Sequence, residues 1–146
     1  MKFLLDASAL LPLVTKSGKK LIVEVAGAEL ITTDLAIYEA CNGLWKLAIL
    51  LKTITPEDAV EIAGVLQELT AKNLIQIVSF TTIELAQTLG IAQKAQITFY
   101  DASYIAVAQN IKAIMVTEDQ KLCKVASKSV ETISFLQLQN ELAKNP

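Results

Sequence analysis

Four acidic residues stand in surroundings that do not suit them. Asp6 ends the run Met1-Lys2-Phe3-Leu4-Leu5, and Glu39 sits in Leu35-Ala36-Ile37-Tyr38-Glu39-Ala40-Cys41-Asn42. Asp101 is enclosed by Phe99-Tyr100 and Ala102-Ser103-Tyr104-Ile105, and Asp119 follows Ile114-Met115-Val116-Thr117-Glu118. A carboxylate in an apolar stretch is costly to bury unless a positive charge compensates it. The chain has no histidine, and all of its 13 basic residues are lysine, so no guanidinium is present to pair with them. A divalent cation is the charge this pattern calls for, and the chemistry it suggests is that of phosphate esters. Oxygen-only ligands favour Mg²⁺ or Mn²⁺ over zinc, which prefers nitrogen and sulfur. Without histidine, Ser8 and Cys41 have no partner for Ser-His or Cys-His nucleophilic catalysis. None of the five glycines forms a P-loop, which excludes nucleotide hydrolysis of that kind.

Singly, each acid has a plainer reading. Asp6, Asp101 and Asp119 could each cap the helix that follows or contains them. Glu39 resists that reading, because it lies within a helix, with Asn42, Gly43 and Lys46 in its helical neighbourhood. As a set they are more specific. Two carboxylates about 5 Å apart repel by about 3 kcal/mol at an effective dielectric of about 20. Four converging on one edge require a cation.

The elements that must position them alternate. Strands are expected at Lys2–Asp6, Glu29–Thr33, Ile75–Ser79 and Ala113–Thr117, with a weak one at Val130–Ile133. Between them, helices are expected from Ser8, over Lys19–Ala26, from an Asp34 cap to about Leu51, and from Thr55-Pro56-Glu57-Asp58 to about Lys72. Further helices are expected over Thr82–Lys94, Asp101–Gln109 and Gln120–Ala126, and after Ser134. This order implies parallel βαβ units and a three-layer α/β/α sandwich around a mostly parallel sheet, one domain over residues 1–146. The two consecutive helices between Asp34 and Lys72 form a hairpin available to a partner. Ligands of open parallel sheets bind beyond the carboxyl ends of the strands. Asp6 and Asp119 are both placed at that edge.

The remaining composition fits one globular domain: 53% hydrophobic and 19% charged residues, enough for a substantial core. No apolar run reaches the roughly 18–20 residues of a membrane span, and Asp6 interrupts what would be the apolar segment of a signal peptide. Cys41 and Cys123 are too few for a disulfide framework, and a reduced cytoplasm is the expected compartment. The net charge is −2, but 13 lysines face only the acids outside the four singled out. Lys16, Lys19 and Lys121 follow strand ends, with Lys20 clustered beside the first two, and they could rim the same edge; taken alone, such lysines read more simply as a solvated face.

In order and spacing the chain resembles PIN-domain ribonucleases, in particular the VapC-type toxins of toxin–antitoxin pairs. The resemblance rests on Leu5-Asp6-Ala7-Ser8-Ala9-Leu10, Tyr38-Glu39-Ala40-Cys41-Asn42, Phe99-Tyr100-Asp101-Ala102-Ser103-Tyr104 with Ala106 and Ala108, and Val116-Thr117-Glu118-Asp119-Gln120-Lys121-Leu122. It implies a PIN-like fold and an Mg²⁺- or Mn²⁺-dependent endoribonuclease. Asp6, Glu39, Asp101 and Asp119 would be its acidic site, supported by the Ser8 and Thr117 hydroxyls and by Asn42. Glu118 competes with Asp119 for the fourth place, and the family spacing favours Asp119. A homodimer and a small antitoxin partner are further implications. Arginines that family members place around the site have no counterpart here. Two other readings stay open: an Asp-based phosphohydrolase of another α/β family, and a catalytically silent PIN-like binding module. The dehalogenase-like version of the first needs an aspartate where Ser8 stands, and the second usually lacks one of the carboxylates.

Overall fold

The structure, a computed structural model, describes residues 1–17, 20 and 27–144. The helix expected over Lys19–Ala26 lies outside the described residues, apart from Lys20. Five strands form one parallel sheet: β1 (Lys2–Leu5), β2 (Glu29–Thr33), β3 (Ile75–Val78), β4 (Ile114–Val116) and β5 (Thr132–Ile133), in the order β3-β2-β1-β4-β5. β1 is central, pairing Phe3 with Leu30 and Ile114, and Leu5 with Thr32 and Val116. Its residues Phe3, Leu4 and Leu5 are almost wholly inaccessible, as a strand covered on both faces must be.

Seven helices complete the described fold: α1 (Ala7–Ser17), α2 (Asp34–Trp45), α3 (Pro56–Ala71), α4 (Leu85–Ala95), α5 (Phe99–Ile111), α6 (Gln120–Ala126) and α7 (Phe135–Lys144). α1 packs against α2, α3 and α7, while α4 packs against α5. Gly43 lets α1 and α2 approach, since a Cβ there would come within 3.0 Å of Leu11 Cδ2. The core fills the space between sheet and helices, with Leu10, Leu13, Tyr104, Ile105, Met115 and Leu122 among its largest buried members. This is the α/β sandwich expected from the alternation.

Three expectations change in detail. The cap of α2 is Thr33, whose hydroxyl accepts the Ala36 N–H, while the Asp34 carboxylate accepts the N–H groups of Leu35 and Phe80. The long helix from Asp34 gives way after Trp45 to a π-turn, Lys46–Leu50. Asp101 does not open its helix: α5 starts at Phe99, capped by Thr98. The start at Thr55 is a full capping box, with Thr55 Oγ1 accepting the Asp58 N–H at 3.0 Å and Asp58 Oδ2 accepting the Thr55 N–H at 3.1 Å. The α2–α3 hairpin exposes Tyr38, Trp45, Ile49, Leu50, Leu51 and Val60.

Candidate active site

Asp6 leaves β1 at its carboxyl end, where its backbone N–H donates to Val116 O at 3.2 Å. Its side chain caps α1: Oδ1 accepts the Ala9 N–H at 3.0 Å and the Ser8 hydroxyl at 2.6 Å. Oδ2 accepts the Thr117 hydroxyl from the end of β4. The two hydroxyls are themselves held by the next turn of chain. The Glu118 N–H donates to Ser8 Oγ at 2.8 Å, and the Asp119 N–H donates to Thr117 Oγ1 at 3.1 Å. Asp6 is only 4% exposed. Burial pushes its carboxyl pKa up, the three hydrogen bonds oppose this, and the nearby Asp119 charge adds to the rise.

Asp119 caps α6, with Oδ1 accepting the Leu122 N–H at 3.0 Å. The capping reading is therefore true of Asp6 and Asp119, yet it does not exhaust either residue, since a carboxylate has two oxygens with several lone pairs. For Asp101 that reading fails. Thr98 takes the cap, and Asp101 is the third residue of α5, within its first turn, with its backbone N–H donating to Thr98 Oγ1 at 3.1 Å. Its pKa is raised by partial burial, then by the charges of Asp119 and Glu39; Thr98 and the Lys121 ammonium act in the opposite direction. Asp119 thus bears on both Asp6 and Asp101, and Glu39 bears on Asp101. Asp6 and Asp119 follow the carboxyl ends of the adjacent strands β1 and β4, while Glu39 and Asp101 are carried by α2 and α5.

Glu118 faces elsewhere. Its carboxylate accepts the Phe135 N–H at the start of α7. Of the lysines, Lys121 reaches Asp101 electrostatically, while Lys16 Nζ lies 5.5 Å from the centroid of the Phe135 ring. Lys20 is exposed, and Lys19 lies outside the described residues. Asn42 is exposed on α2, one turn beyond Glu39. The residues that precede two of the acids in sequence, Tyr38 before Glu39 and Tyr100 before Asp101, carry exposed rings. Sequence reasoning also passed over Tyr104. It is 2% exposed, and its hydroxyl donates to Glu39 Oε1 at 2.5 Å. The available signal was that a tyrosine in a buried helix needs a partner for its O–H.

The donor set suits a hard divalent cation: four carboxylates and two hydroxyls, with no nitrogen or sulfur among them. The ion pairs among the described residues, Lys72–Glu68 and Lys144–Glu141, involve none of the four acids. Among the described residues no three acidic side chains already close around one point.

The model of the PIN domain matches residues 3–128. The chain belongs to the PIN-domain family. Curated relatives of this PIN domain include Ribonuclease VapC3 of Pyrobaculum aerophilum, 34% identical over 128 residues, which cover 85% of this chain and 94% of that protein. Exonuclease VapC9 of the same organism is 32% identical over 139 residues, covering 93% and 94%. The solved structure of PAE2754 from Pyrobaculum aerophilum superposes with a TM-score of 0.76 at 28% identity, over 99% of this chain and 91% of that one. VapBC-1 from nontypeable Haemophilus influenzae shares the fold at 13% identity, with a TM-score of 0.59 over 93% of this chain and 99% of that one. Among the described residues no helix is long and apolar enough to cross a membrane.

Proposed function

We propose that this PIN domain is a divalent-metal-dependent endoribonuclease, the toxin of a type II toxin–antitoxin pair. The observation that carries the reading is the turn at the carboxyl ends of adjacent strands β1 and β4, where Thr117 donates to Asp6 and accepts from the Asp119 N–H; the Asp119 charge also opposes the ionisation of Asp6 and Asp101. The ribonuclease and exonuclease names of relatives at 34% and 32% identity support it. Asp6, Asp101 and Asp119 would hold Mg²⁺ or Mn²⁺, with Glu39 completing the set. When bound there, the cation lowers the pKa of water and offsets charge on a phosphate undergoing in-line attack. Ser8 and Thr117 each donate to one oxygen of Asp6, which fixes the plane of its carboxylate. Asp119 in turn donates its backbone N–H to Thr117, so the strand-end turn and the buried acid are locked together.

The Lys121 ammonium, within electrostatic reach of Asp101, is placed to draw a phosphodiester to the acids. Lys16, Lys19 and Lys20 are proposed to hold the RNA further out, and Asn42 to contact it beside Glu39. A lysine holds phosphate as a point charge without the bidentate fork of arginine, so binding depends steeply on salt. The exposed rings of Tyr38 and Tyr100 present faces on which unpaired bases can stack. A cognate antitoxin, a homodimer and a cytoplasmic location complete the proposal.

An exonucleolytic mode is the second reading, favoured by the name of VapC9. Circular single-stranded RNA separates the two. Cutting of the circle with Mg²⁺ or Mn²⁺, stopped by EDTA and lost in Asp101→Asn, is the expected result. A circle left whole beside a degraded linear RNA of the same sequence would assign the exonucleolytic mode. Inertness on both substrates at every metal concentration would leave the catalytically silent binding module as the better account.

A further inference from the structure

Tyr104 stands beneath the acidic edge, and its ring is fixed. It lies on α5 three residues after Asp101, is 2% exposed, and packs within the hydrophobic core. Its hydroxyl is the buried end of a bond to Glu39 Oε1 at 2.5 Å. Glu39 belongs to α2 and is exposed, so nothing in its own burial would hold its carboxylate in one place. One hydroxyl therefore ties the helix bearing Asp101 to the helix bearing Glu39.

We infer that Tyr104 is a positioning residue of the metal site, a buried strut that fixes the Glu39 carboxylate at a set distance from Asp6 and Asp101. This rests on the metal-dependent reading above and extends it to a residue that holds no metal itself. A long glutamate side chain at the surface samples many rotamers, and each must be given up when a ligand is bound. A donor whose ring is locked by packing removes that cost in advance, and it occupies one carboxylate oxygen in a defined direction.

Tyr104→Phe keeps the ring and deletes the hydroxyl, so it isolates the strut from the packing. Mn²⁺ binding to the full chain is measured by isothermal titration without RNA, for wild type, Tyr104→Phe, Glu39→Gln and the double variant. The expected result is affinity about tenfold lower in Tyr104→Phe, with a thermal melt in EDTA close to that of wild type. In the Glu39→Gln background, removing the Tyr104 hydroxyl should cost no further affinity, because its effect acts through the carboxylate. With RNA at saturating metal, kcat should fall while KM holds. A purely structural tyrosine would instead lower the melt and add its effect to that of Glu39→Gln. Tyr104→Phe binding Mn²⁺ like wild type, while Glu39→Gln binds weakly, would overturn the strut and leave the metal site standing. Wild type that binds no Mn²⁺ would overturn the metal site and the strut with it.

Discussion

At the scale of single residues, Asp119 and Glu118 illustrate how neighbours at a strand-to-helix turn divide the work. Asp119 both caps α6 and faces Asp101, whereas Glu118 is spent on the Phe135 N–H of α7. Asparagine caps a helix about as well as aspartate. Asp119→Asn should therefore hold stability within about 0.5 kcal/mol while abolishing metal-dependent cleavage. Glu118→Ala should retain most activity and lose about 1 kcal/mol of stability with its cap. Cleavage assays and urea melts on the pair decide this, and the reverse ranking would move the fourth ligand to Glu118. A second expectation concerns pH. Asp101 binds its proton more tightly in the folded chain than in the unfolded one, so its contribution to stability is full below the unfolded value of about 4 and is lost as pH rises through the raised folded value. Melts in EDTA should show Asp101→Asn gaining on wild type as pH climbs from about 4 to neutrality. A difference that stays flat with pH would mean that neither burial nor the neighbouring acids raise its pKa. The four acids were legible in the sequence because a carboxylate among apolar residues is costly wherever the chain folds. Tyr104 was not, because a tyrosine in an apolar helix reads as core and its partner Glu39 lies 65 positions away.

At the scale of elements, most starts could be read and several ends could not. Thr55-Pro56-Glu57-Asp58 carries its own instructions, and the capping box forms as the residue types require. Thr55→Ala should cost about 1 kcal/mol of stability, with the slope of the denaturation curve and the RNA cleavage rate unchanged. A loss of activity with that change would tie the α2–α3 hairpin to catalysis. The break of α2 after Trp45 was hidden, because Lys46-Leu47-Ala48-Ile49-Leu50 has residues as helix-forming as those before it. Nothing local forces the π-turn; the packing of α3 against that segment accompanies it. The Asp34 cap was misplaced by one residue because Thr33 offers an equally good hydroxyl, and Asp34 finds a second use at Phe80, a contact between segments far apart in sequence. Asp101 was misread as opening α5 for the same reason, since Thr98 stands three residues earlier.

At the scale of the whole molecule, alternation of strands and helices was enough to set the class and to put Asp6 and Asp119 on one edge, since parallel strands leave every carboxyl end on the same side. The sheet order β3-β2-β1-β4-β5 was beyond such reading, because neighbours in a parallel sheet are chosen by long-range packing. That order is what serves the site: β1 lies beside β4, so Asp6 and Thr117 meet from distant parts of the chain. With a cation held there as proposed, this edge is a hydrolytic one. A ribonuclease that uses the 2′-hydroxyl of its substrate as nucleophile usually relies on histidine or another side-chain base, and this chain has no histidine. Its acids are assigned to the cation, and water is left as the nucleophile. Mass spectrometry of the end groups on RNA cleaved with Mg²⁺ or Mn²⁺ tests this directly. Products bearing 5′-phosphate and 3′-hydroxyl, formed equally at a site with a single 2′-deoxy substitution and absent in EDTA, are expected. A 2′,3′-cyclic phosphate, or cleavage that survives thorough chelation, would contradict it.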